Sequence, residues 1–485
     1  MKYPSLLFTN DSRRGDIDPS VCNDLRLDLM LPASTLEVMS GICPRSDIPL
    51  RSEVFSAMDE PSLNKRILDL GKIINAASSL DAASSEVSDK KLKDVLFVRT
   101  AERICAFCMK AAEITSDCYF IKRIADFFKS VCSDASFESL KKDANSLCEK
   151  LSVLSKFTVT VQDELYGGEK SEKSDICSRL KAAADELEIE LDLPVPLEYR
   201  ASDEFAVSLI SDSEELCRKA SDFCDKYKRL IDLSILGYAE ELDFYLSIHS
   251  LLCRINEAGI PLCRPRITDK DEISFRSAYD FTLLEKDEKN IVPNDVYLGG
   301  KEKFFFLGGA NGGGKTTFLR TLGINVLLAI SGAPAAAHSA ELGQIDGVFT
   351  HFPHDEHFEG EGRFDNEKRR VSKIVASMGR HPLILLNETY STTNEEKSVV
   401  STSELAELLC KRGVYGIYVT HAHEAQADGV GRLVVTVDEN DGNRRTYKVA
   451  RAFEENRSFA EDILKKYGLT YQQLDAVFSG EEAVK

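Results

Sequence analysis

The chain has 485 residues, enough for two to four domains and a large buried core. Apolar residues make up 43% and charged residues 29%, no apolar run reaches membrane-spanning length, and the amino terminus has no secretory signal, so we predict a cytoplasmic protein without membrane contact. The formal net charge of −19 excludes a protein that coats nucleic acid by bulk electrostatics, and any nucleic-acid contact would have to be local.

Residues 1–265 are predicted to form an all-α domain. Residues 16–60 have the pattern of short helices and turns, whereas the following stretch has no proline from Pro61 to Pro194 and no glycine from Gly71 to Gly167, which predicts long helices. Apolar residues recur there at spacings of three and four. This periodicity predicts two buried stripes of a helix bundle, Ile121, Ile124, Phe128 and Val131, and Leu209, Leu216, Ala220, Phe223 and Tyr227.

The thirteen cysteines are scattered rather than arranged in a framework, which predicts reduced thiols. Cys105 and Cys108 form the one C-x-x-C motif. Because no second pair lies at zinc spacing and the motif falls in a helical pattern, we interpret it as two packed thiols and not as a metal site.

A small β insertion is predicted to interrupt the helices near residues 155–200. Residues 157–163 alternate like a strand, and Gly167-Gly168 marks a turn before a polar run. The insertion carries eleven Asp and Glu residues against six Lys and Arg. This balance is the opposite of what a lobe that grips phosphates needs.

Beyond Gly259 to Pro265, where the helical pattern ends, residues 266–485 alternate between strands and helices, the pattern of a mainly parallel α/β sheet covered on both faces. Two short helices are predicted over 458–479, and a hairpin with a turn at Asp441-Gly442 precedes them. The predicted strands are 294–298, 303–308, 347–352, 382–387 and 414–420, followed by the hairpin strands 433–438 and 444–450.

Gly309-Ala-Asn-Gly-Gly-Gly-Lys-Thr316 is a complete G-x-x-x-x-G-K-[ST] phosphate loop between a predicted strand and a predicted helix. Its glycines allow backbone N–H groups to surround a polyphosphate, and the helix amino terminus adds partial positive charge. Lys315 would reach the β- and γ-phosphates of ATP, and the Thr316 hydroxyl would ligate Mg²⁺. The residues predicted to bind the nucleotide are Gly309, Asn311, Gly312, Gly313, Gly314, Lys315, Thr316 and Thr317.

Two further strand ends complete the predicted site. Strand 382–387 ends at Asn387-Glu388, in the place of a Walker B motif, where Glu388 is the candidate base for an attacking water and Asn387 would orient a metal-bound water without adding charge. Strand 414–420 is followed by His421, which is predicted to sense the γ-phosphate or place the water. A metal site at the nearby histidines of residues 351–357 is not favoured, because Pro353 prevents them from sharing one helix face.

These motifs together resemble the ATPase domain of the MutS family of DNA mismatch-repair proteins, over about residues 266–478. The carrying features are Asn311 within the phosphate loop, Val419-Thr-His421, the loop Tyr390-Ser-Thr-Thr-Asn394, and residues 332–350. The resemblance implies an ABC/MutS-type P-loop domain with ATP and Mg²⁺ as cofactors, a dimer-forming helix-turn-helix at the carboxyl end, and a helical lever over residues 16–265.

The chain also departs from the family pattern. It starts near the lever, so a mismatch-reading domain is not expected, and the signature loop becomes Gly362-Arg363-Phe364 with Glu367. Arg363 would then face the nucleotide of a dimer partner, as an arginine finger acting in trans.

We therefore predict a homodimeric, DNA-dependent ATPase that couples ATP hydrolysis to mismatched, branched or otherwise structured DNA, in mismatch repair or recombination control. Lys315, Glu388 and His421 are its predicted catalytic residues, and Thr316 and Asn387 its metal-binding residues. Two alternatives stay open: an ATP-gated dimerising scaffold without turnover, and a relative directed to the ribosome or RNA.

Overall fold

The computed structural model describes most of the chain. It covers residues 3–10, 17–152, 214–286, 290–353, 363–390, 395–422, 424–437 and 445–452, together with four two-residue strands between residues 157 and 170. The chain forms two compact units. The first contains Met1–Ser5, Pro61–Asp117 and Ile121–Leu242, and the second contains Leu6–Glu60, Cys118–Phe120 and Asp243–Lys485.

The first unit is built from long helices, as the absence of proline and glycine predicts. Asp89 caps the second of them, since its carboxylate accepts a hydrogen bond from Leu92 N at 2.9 Å. Phe128 of the first predicted stripe is fully buried against Phe107. The helices are α4 Pro61–Glu86, α5 Lys90–Ala112, α6 Tyr119–Cys132, α7 Ala135–Ser152 and α8 Glu214–Tyr227.

The predicted stripes are largely confirmed. Ile121, Ile124 and Phe128 are buried, but Val131 is half-exposed near the end of α6. In α8, the second stripe is buried at Ala220, Phe223 and Tyr227 and half-exposed at Leu216, while Leu209 lies outside the described residues. Burial on one side of each helix is what a bundle core requires.

Cys105 and Cys108 are buried free thiols on α5, as predicted. Burial raises the pKa of Cys105 to about 12, so it stays a thiol at neutral pH. Among the described residues no group of three or more His, Cys, Asp and Glu side chains could hold a metal ion. No helix in the described part of the chain is long and apolar enough to cross a membrane.

The predicted insertion contains two antiparallel strand pairs. Phe157–Thr158 (β1) pairs with Glu169–Lys170 (β4), and Val161–Gln162 (β2) pairs with Glu164–Leu165 (β3). The rest of residues 155–200 lies outside the described residues.

The second unit begins with short helices, as the pattern of residues 16–60 predicts. After the first unit, the chain re-enters it within one long helix. Asp18 caps the first helix by accepting from Ser20 N at 2.8 Å. These helices are α1 Pro19–Asp24, α2 Ala33–Ser40 and α3 Ile48–Met58, with a 3-10 turn at Leu27–Leu29. The long helix is α9 Tyr238–Glu257, which belongs to this unit from Asp243 onward; the 3-10 turn Leu233–Gly237 before it belongs to the first unit. This unit thus includes residues that precede the predicted domain boundary at 265.

A six-stranded sheet forms the core of the second unit. The strands are β8 Phe304–Gly308, β10 Gly347–His351, β11 Pro382–Asn387, β12 Tyr415–Val419, β13 Gly431–Val437 and β14 Arg445–Arg451; the helices between them are α10 Lys315–Ile330, α11 Arg363–Ser377 and α12 Glu395–Lys411. The sheet order is β10-β11-β12-β8-β13-β14, and all neighbours are parallel except the closing hairpin β13–β14. The central strands are continuous apolar runs because helices cover both faces of a parallel sheet.

A second, four-stranded sheet was not predicted. Its strands are β5 Arg266–Ile267, β6 Glu272–Ala278, β7 Asn294–Gly299 and β9 Ser339–Leu342, with a 3-10 turn at Phe281–Lys286. The sheet order is β5-β9-β6-β7. The predicted strand 294–298, expected among the parallel strands, lies in β7 and pairs antiparallel with β6. The other three strands are not predicted, because β5 and β9 are short and β6 is broken by a register shift after Phe275, with Ser277 in a left-handed conformation.

Candidate functional site

The phosphate loop lies at the carboxyl end of β8 and leads into α10. Gly314 is the N-cap of the helix with φ 94°, and Gly309 has φ 126°; both values lie in the region that glycine alone adopts easily. Space is also short, since a Cβ on Gly309 would lie 3.2 Å from Val435 and one on Gly314 would lie 3.3 Å from the Tyr447 ring. The glycine pattern is therefore required both by the turn and by the strands β13 and β14 beside it.

Lys315 folds back over the loop that precedes it. Its Nζ donates to Gly309 O at 2.8 Å, to Ala310 O at 3.4 Å and to Asn311 Oδ1 at 3.3 Å. The side chain is only 6% exposed, and burial lowers the pKa of Lys315 while the negative charge of Glu388 opposes that shift. A buried ammonium held among loop oxygens is a ready partner for an anion.

Thr316 and Asn387 meet at the same edge of the sheet. The Thr316 hydroxyl donates to Asn387 Oδ1 at 3.4 Å, and Asn387 is buried at the end of β11. A hydroxyl and an amide oxygen are hard neutral donors that suit Mg²⁺, which binds proteins through few ligands and relies on substrate phosphates. The two residues therefore fit a magnesium ion that phosphate oxygens also hold, but they bring no negative charge.

Glu388 and His421 form a pair across two neighbouring strands. Glu388 follows β11 and His421 follows β12, with 3.0 Å between His421 Nε2 and Glu388 Oε1. The hydrogen bond from His421 holds the pKa of Glu388 below its ordinary value, although partial burial acts in the opposite direction. Both side chains stay accessible, 38% exposed for His421 and 35% for Glu388. The pair can present an ionised carboxylate to a water molecule.

The backbone around Glu388 is strained and anchored. Glu388 has φ 51° and Tyr390 has φ 65°, left-handed values that cost non-glycine residues on the order of 1 kcal/mol each. Glu388 N donates to Val419 O at 2.8 Å. Between the two strained residues, Thr389 is buried, and its hydroxyl is 2.9 Å from His351 Nδ1.

Tyr418 adds a second anchor to Thr389, since its hydroxyl donates to Thr389 O at 2.7 Å. His351 and Tyr418 thus support the residue that follows Glu388, a role that no local sequence pattern predicts. In the sequence His351 stands out only as one of three histidines at a metal site that is not favoured, and the other two, His354 and His357, lie outside the described residues.

Residues of β14 next to the phosphate loop were also missed. The ring of Tyr447 lies against Gly314, and the positive charge of Arg445 contributes to lowering the pKa of Lys315. Asn294 holds this strand in place, with Nδ2 donating to Tyr447 O at 3.0 Å and Oδ1 accepting from Val449 N at 2.9 Å. No sequence motif marks these residues, because strand pairing brings them to the loop.

Several predicted features lie outside the described residues. The structure gives the backbone of Arg363 as the first residue of α11, but nothing is described of its side chain. Gly362, the loop after Tyr390, His423 and the predicted carboxyl-terminal helices over 458–479 are likewise outside, so these assignments remain predictions.

Comparisons with known proteins identify the part of the chain that carries this site. Residues 305–469 match the family model of MutS domain V. The endonuclease MutS2 of Thermus thermophilus is 33% identical over 142 residues, covering 29% of this chain and 19% of that protein. The DNA mismatch repair protein MutS of Thermus aquaticus is 28% identical over 233 residues, covering 47% of this chain and 27% of the relative.

A longer alignment joins the chain to the endonuclease MutS2 of Ligilactobacillus salivarius. The two are 22% identical over 462 residues, which is 90% of this chain and 57% of the relative. The similarity therefore extends well beyond domain V. In each of these three relatives, the matched region is less than two thirds of the protein's length.

Proposed function

By its domain V this chain is a MutS-family protein, and on that premise we propose that it binds ATP with Mg²⁺ and hydrolyses the terminal phosphate. The observation that carries the proposal is the convergence of Lys315, Thr316, Asn387, Glu388 and His421 at one edge of the sheet. Three separate segments of the chain supply these side chains, and their residue types are those that phosphoryl transfer to water uses.

The proposed mechanism assigns each residue a role. Lys315 exchanges its loop acceptors for β- and γ-phosphate oxygens, and the loop N–H groups bind the remaining oxygens. Thr316 and Asn387 would hold the Mg²⁺ ion, which would neutralise negative charge on the phosphate oxygens. Glu388 accepts the proton of the attacking water while the water oxygen bonds to the γ-phosphorus and the bond from that phosphorus to ADP breaks, so that ADP leaves. His421 keeps the carboxylate ionised and directed by its hydrogen bond.

We propose further that the chain works as a dimer and couples ATP to nucleic acid. DNA is favoured, because the matched relatives carry the names of DNA mismatch repair proteins and endonucleases, and structured RNA is the alternative. The test is phosphate release by the wild-type protein, alone and with duplex DNA, branched DNA and structured RNA at one stated salt concentration. Stimulation by DNA supports the coupling, stimulation by RNA alone supports the RNA-directed alternative, and no stimulation by either refutes the coupling.

Asn387 favours a second candidate, an ATP-gated dimerising scaffold with little turnover. The amide brings no charge to the metal, so Asn387→Asp should lower the Mg²⁺ concentration for half-maximal activity about tenfold, the factor that corresponds to about 1.4 kcal/mol. Phosphate release titrated with Mg²⁺ measures this effect, with the exposed Asn256→Asp as the matched control. Turnover that appears only in Asn387→Asp would identify the natural protein as the scaffold.

Arg363 is proposed to reach the nucleotide of the dimer partner. An arginine finger acts on transition-state charge, so Arg363→Ala should lower kcat by about 10³-fold while ATP affinity stays within a few-fold of wild type. Steady-state turnover above the dimerisation concentration is the measurement, and Lys368→Ala, an exposed cation on the same helix, is the control. Unchanged turnover of Arg363→Ala would refute the assignment.

A further inference from the structure

The turn that carries Glu388 is also held by helix α11, which supplies no residue to the phosphate loop. Glu367 Oε2 accepts a hydrogen bond from Tyr390 N at 3.1 Å. One turn earlier on the same helix, the ring of Phe364 lies 5.5 Å from the ring of Tyr390, tilted by 55°. Two side chains of α11, three residues apart, therefore contact Tyr390: Glu367 bonds its backbone N–H, and Phe364 packs against its ring.

The contacts along this turn come from different parts of the fold. Apart from the hydrogen bond between His421 and the Glu388 carboxylate, those at Glu388 and Thr389 come from the sheet, through Val419, His351 and Tyr418. The hydrogen bond to the backbone of Tyr390 comes from α11. Left-handed conformations outside glycine persist only where the surroundings over-determine them, and Tyr390 is one of the two strained residues.

The Tyr390 side chain is buried, so its contact with α11 lies inside the protein. Its relative exposure is 5%, and it belongs to the apolar core that also contains Val371 of α11, Leu386 and Tyr418. Burial and the nearby Glu367 charge raise the pKa of Tyr390 to about 12, which keeps its phenol neutral. Packed apolar contacts therefore connect α11 with Tyr390.

We propose that Glu367 is a positioning residue for Glu388. By accepting the hydrogen bond from Tyr390 N, Glu367 fixes the turn and so sets the direction of the Glu388 carboxylate. The rate of water attack then depends on the position of α11. The proposal deepens the proposed hydrolysis and rests on it. Phe364 shares the task through its ring contact. Because both residues contact Tyr390, two positions after Glu388, the effect should fall on kcat and not on ATP affinity.

The test compares Glu367→Ala with Glu367→Gln. Alanine removes the acceptor for Tyr390 N. We expect kcat to fall about ten- to a hundredfold with KM for ATP unchanged, because a small misplacement of a catalytic group costs about that factor in rate. Glutamine keeps a side-chain oxygen and should restore most of the activity. Hydrogen exchange at the Tyr390 amide should be faster in Glu367→Ala and near wild type in Glu367→Gln. Glu404→Ala, at an exposed position of α12, is the matched control.

A second variant tests the proposal independently, in case Glu367→Ala does not fold. Phe364→Leu keeps apolar volume but removes the ring contact, and it should lower kcat in the same direction by a smaller factor. If the wild-type protein hydrolyses ATP and both variants have the same kcat as wild type, the positioning role is wrong while the proposed hydrolysis stands. A raised KM with unchanged kcat would overturn the positioning role as well, because Glu367 would then serve binding. A wild-type protein that binds ATP but shows no turnover would overturn the proposed hydrolysis, and the positioning role with it.

Discussion

Replacing Lys315 by alanine should weaken ATP binding by roughly 10- to 100-fold, the range expected for losing hydrogen bonds from a charged donor. The ammonium is buried and donates to oxygens of Gly309, Ala310 and Asn311, so its loss removes the charged donor of the phosphate loop. Equilibrium titration with a fluorescent ATP analogue in the presence of Mg²⁺ measures the loss.

The matched control is Lys301→Ala. Lys301 is exposed just before β8, at the end of that strand opposite the phosphate loop, and its removal should leave affinity unchanged. A thermal shift separates binding from folding, because ATP raises the midpoint only of a protein that binds it. Lys315→Ala should unfold near the wild-type temperature without ATP and show little increase with ATP. Full affinity in Lys315→Ala would remove the basis for the nucleotide site.

The sequence predicted the six-stranded sheet well because its strands are locally distinctive. β11 is buried at all six positions, and its apolar run ends at a polar pair, so the predicted strand 382–387 has the observed bounds. The predicted β12, 414–420, is longer than Tyr415–Val419 by one residue at each end. Buried parallel strands read as continuous apolar runs, and glycines or polar residues mark where they stop.

The four-stranded sheet shows where such reasoning fails. β6 has apolar residues at Ile273 and Phe275, but the register shift beyond Phe275 interrupts the alternation that would reveal a strand. β9 has only four residues, and β5 only two. Short strands are stabilised by their partners, and the pairing of β6 with both β7 and β9 is not visible in local sequence.

The candidate site likewise has residues that the sequence predicts and residues that it does not. Lys315, Glu388 and His421 were predicted because motifs and strand ends mark them, and parallel strands place their carboxyl ends together. The supports of the Glu388 turn were not predictable. His351 is 38 positions from Thr389, and Glu367 is 23 from Tyr390, so their contacts depend on strand order and helix placement and not on any local pattern.

Replacing Glu388 by glutamine should abolish most ATP hydrolysis while preserving ATP binding. The amide has nearly the shape of the carboxylate but cannot accept the proton of the attacking water, and general-base catalysis contributes about 10²- to 10⁴-fold. Single-turnover phosphate release should therefore fall by about that factor, with affinity for the ATP analogue retained. Glu424→Gln, the same change at an exposed position near His421, should keep full activity.

The pH dependence of turnover provides a second measurement on the same residue. The hydrogen bond from His421 holds the pKa of Glu388 below its ordinary value, so the carboxylate remains ionised, and able to act as a base, to a lower pH than a free glutamate. Activity should thus be retained as pH falls through the ordinary pKa of glutamate and be lost only below it. His421→Ala removes the main cause of that shift and should move the acid limb of the profile upward. An acid limb that stays in place in His421→Ala, or full turnover in Glu388→Gln, would show that another group activates the water.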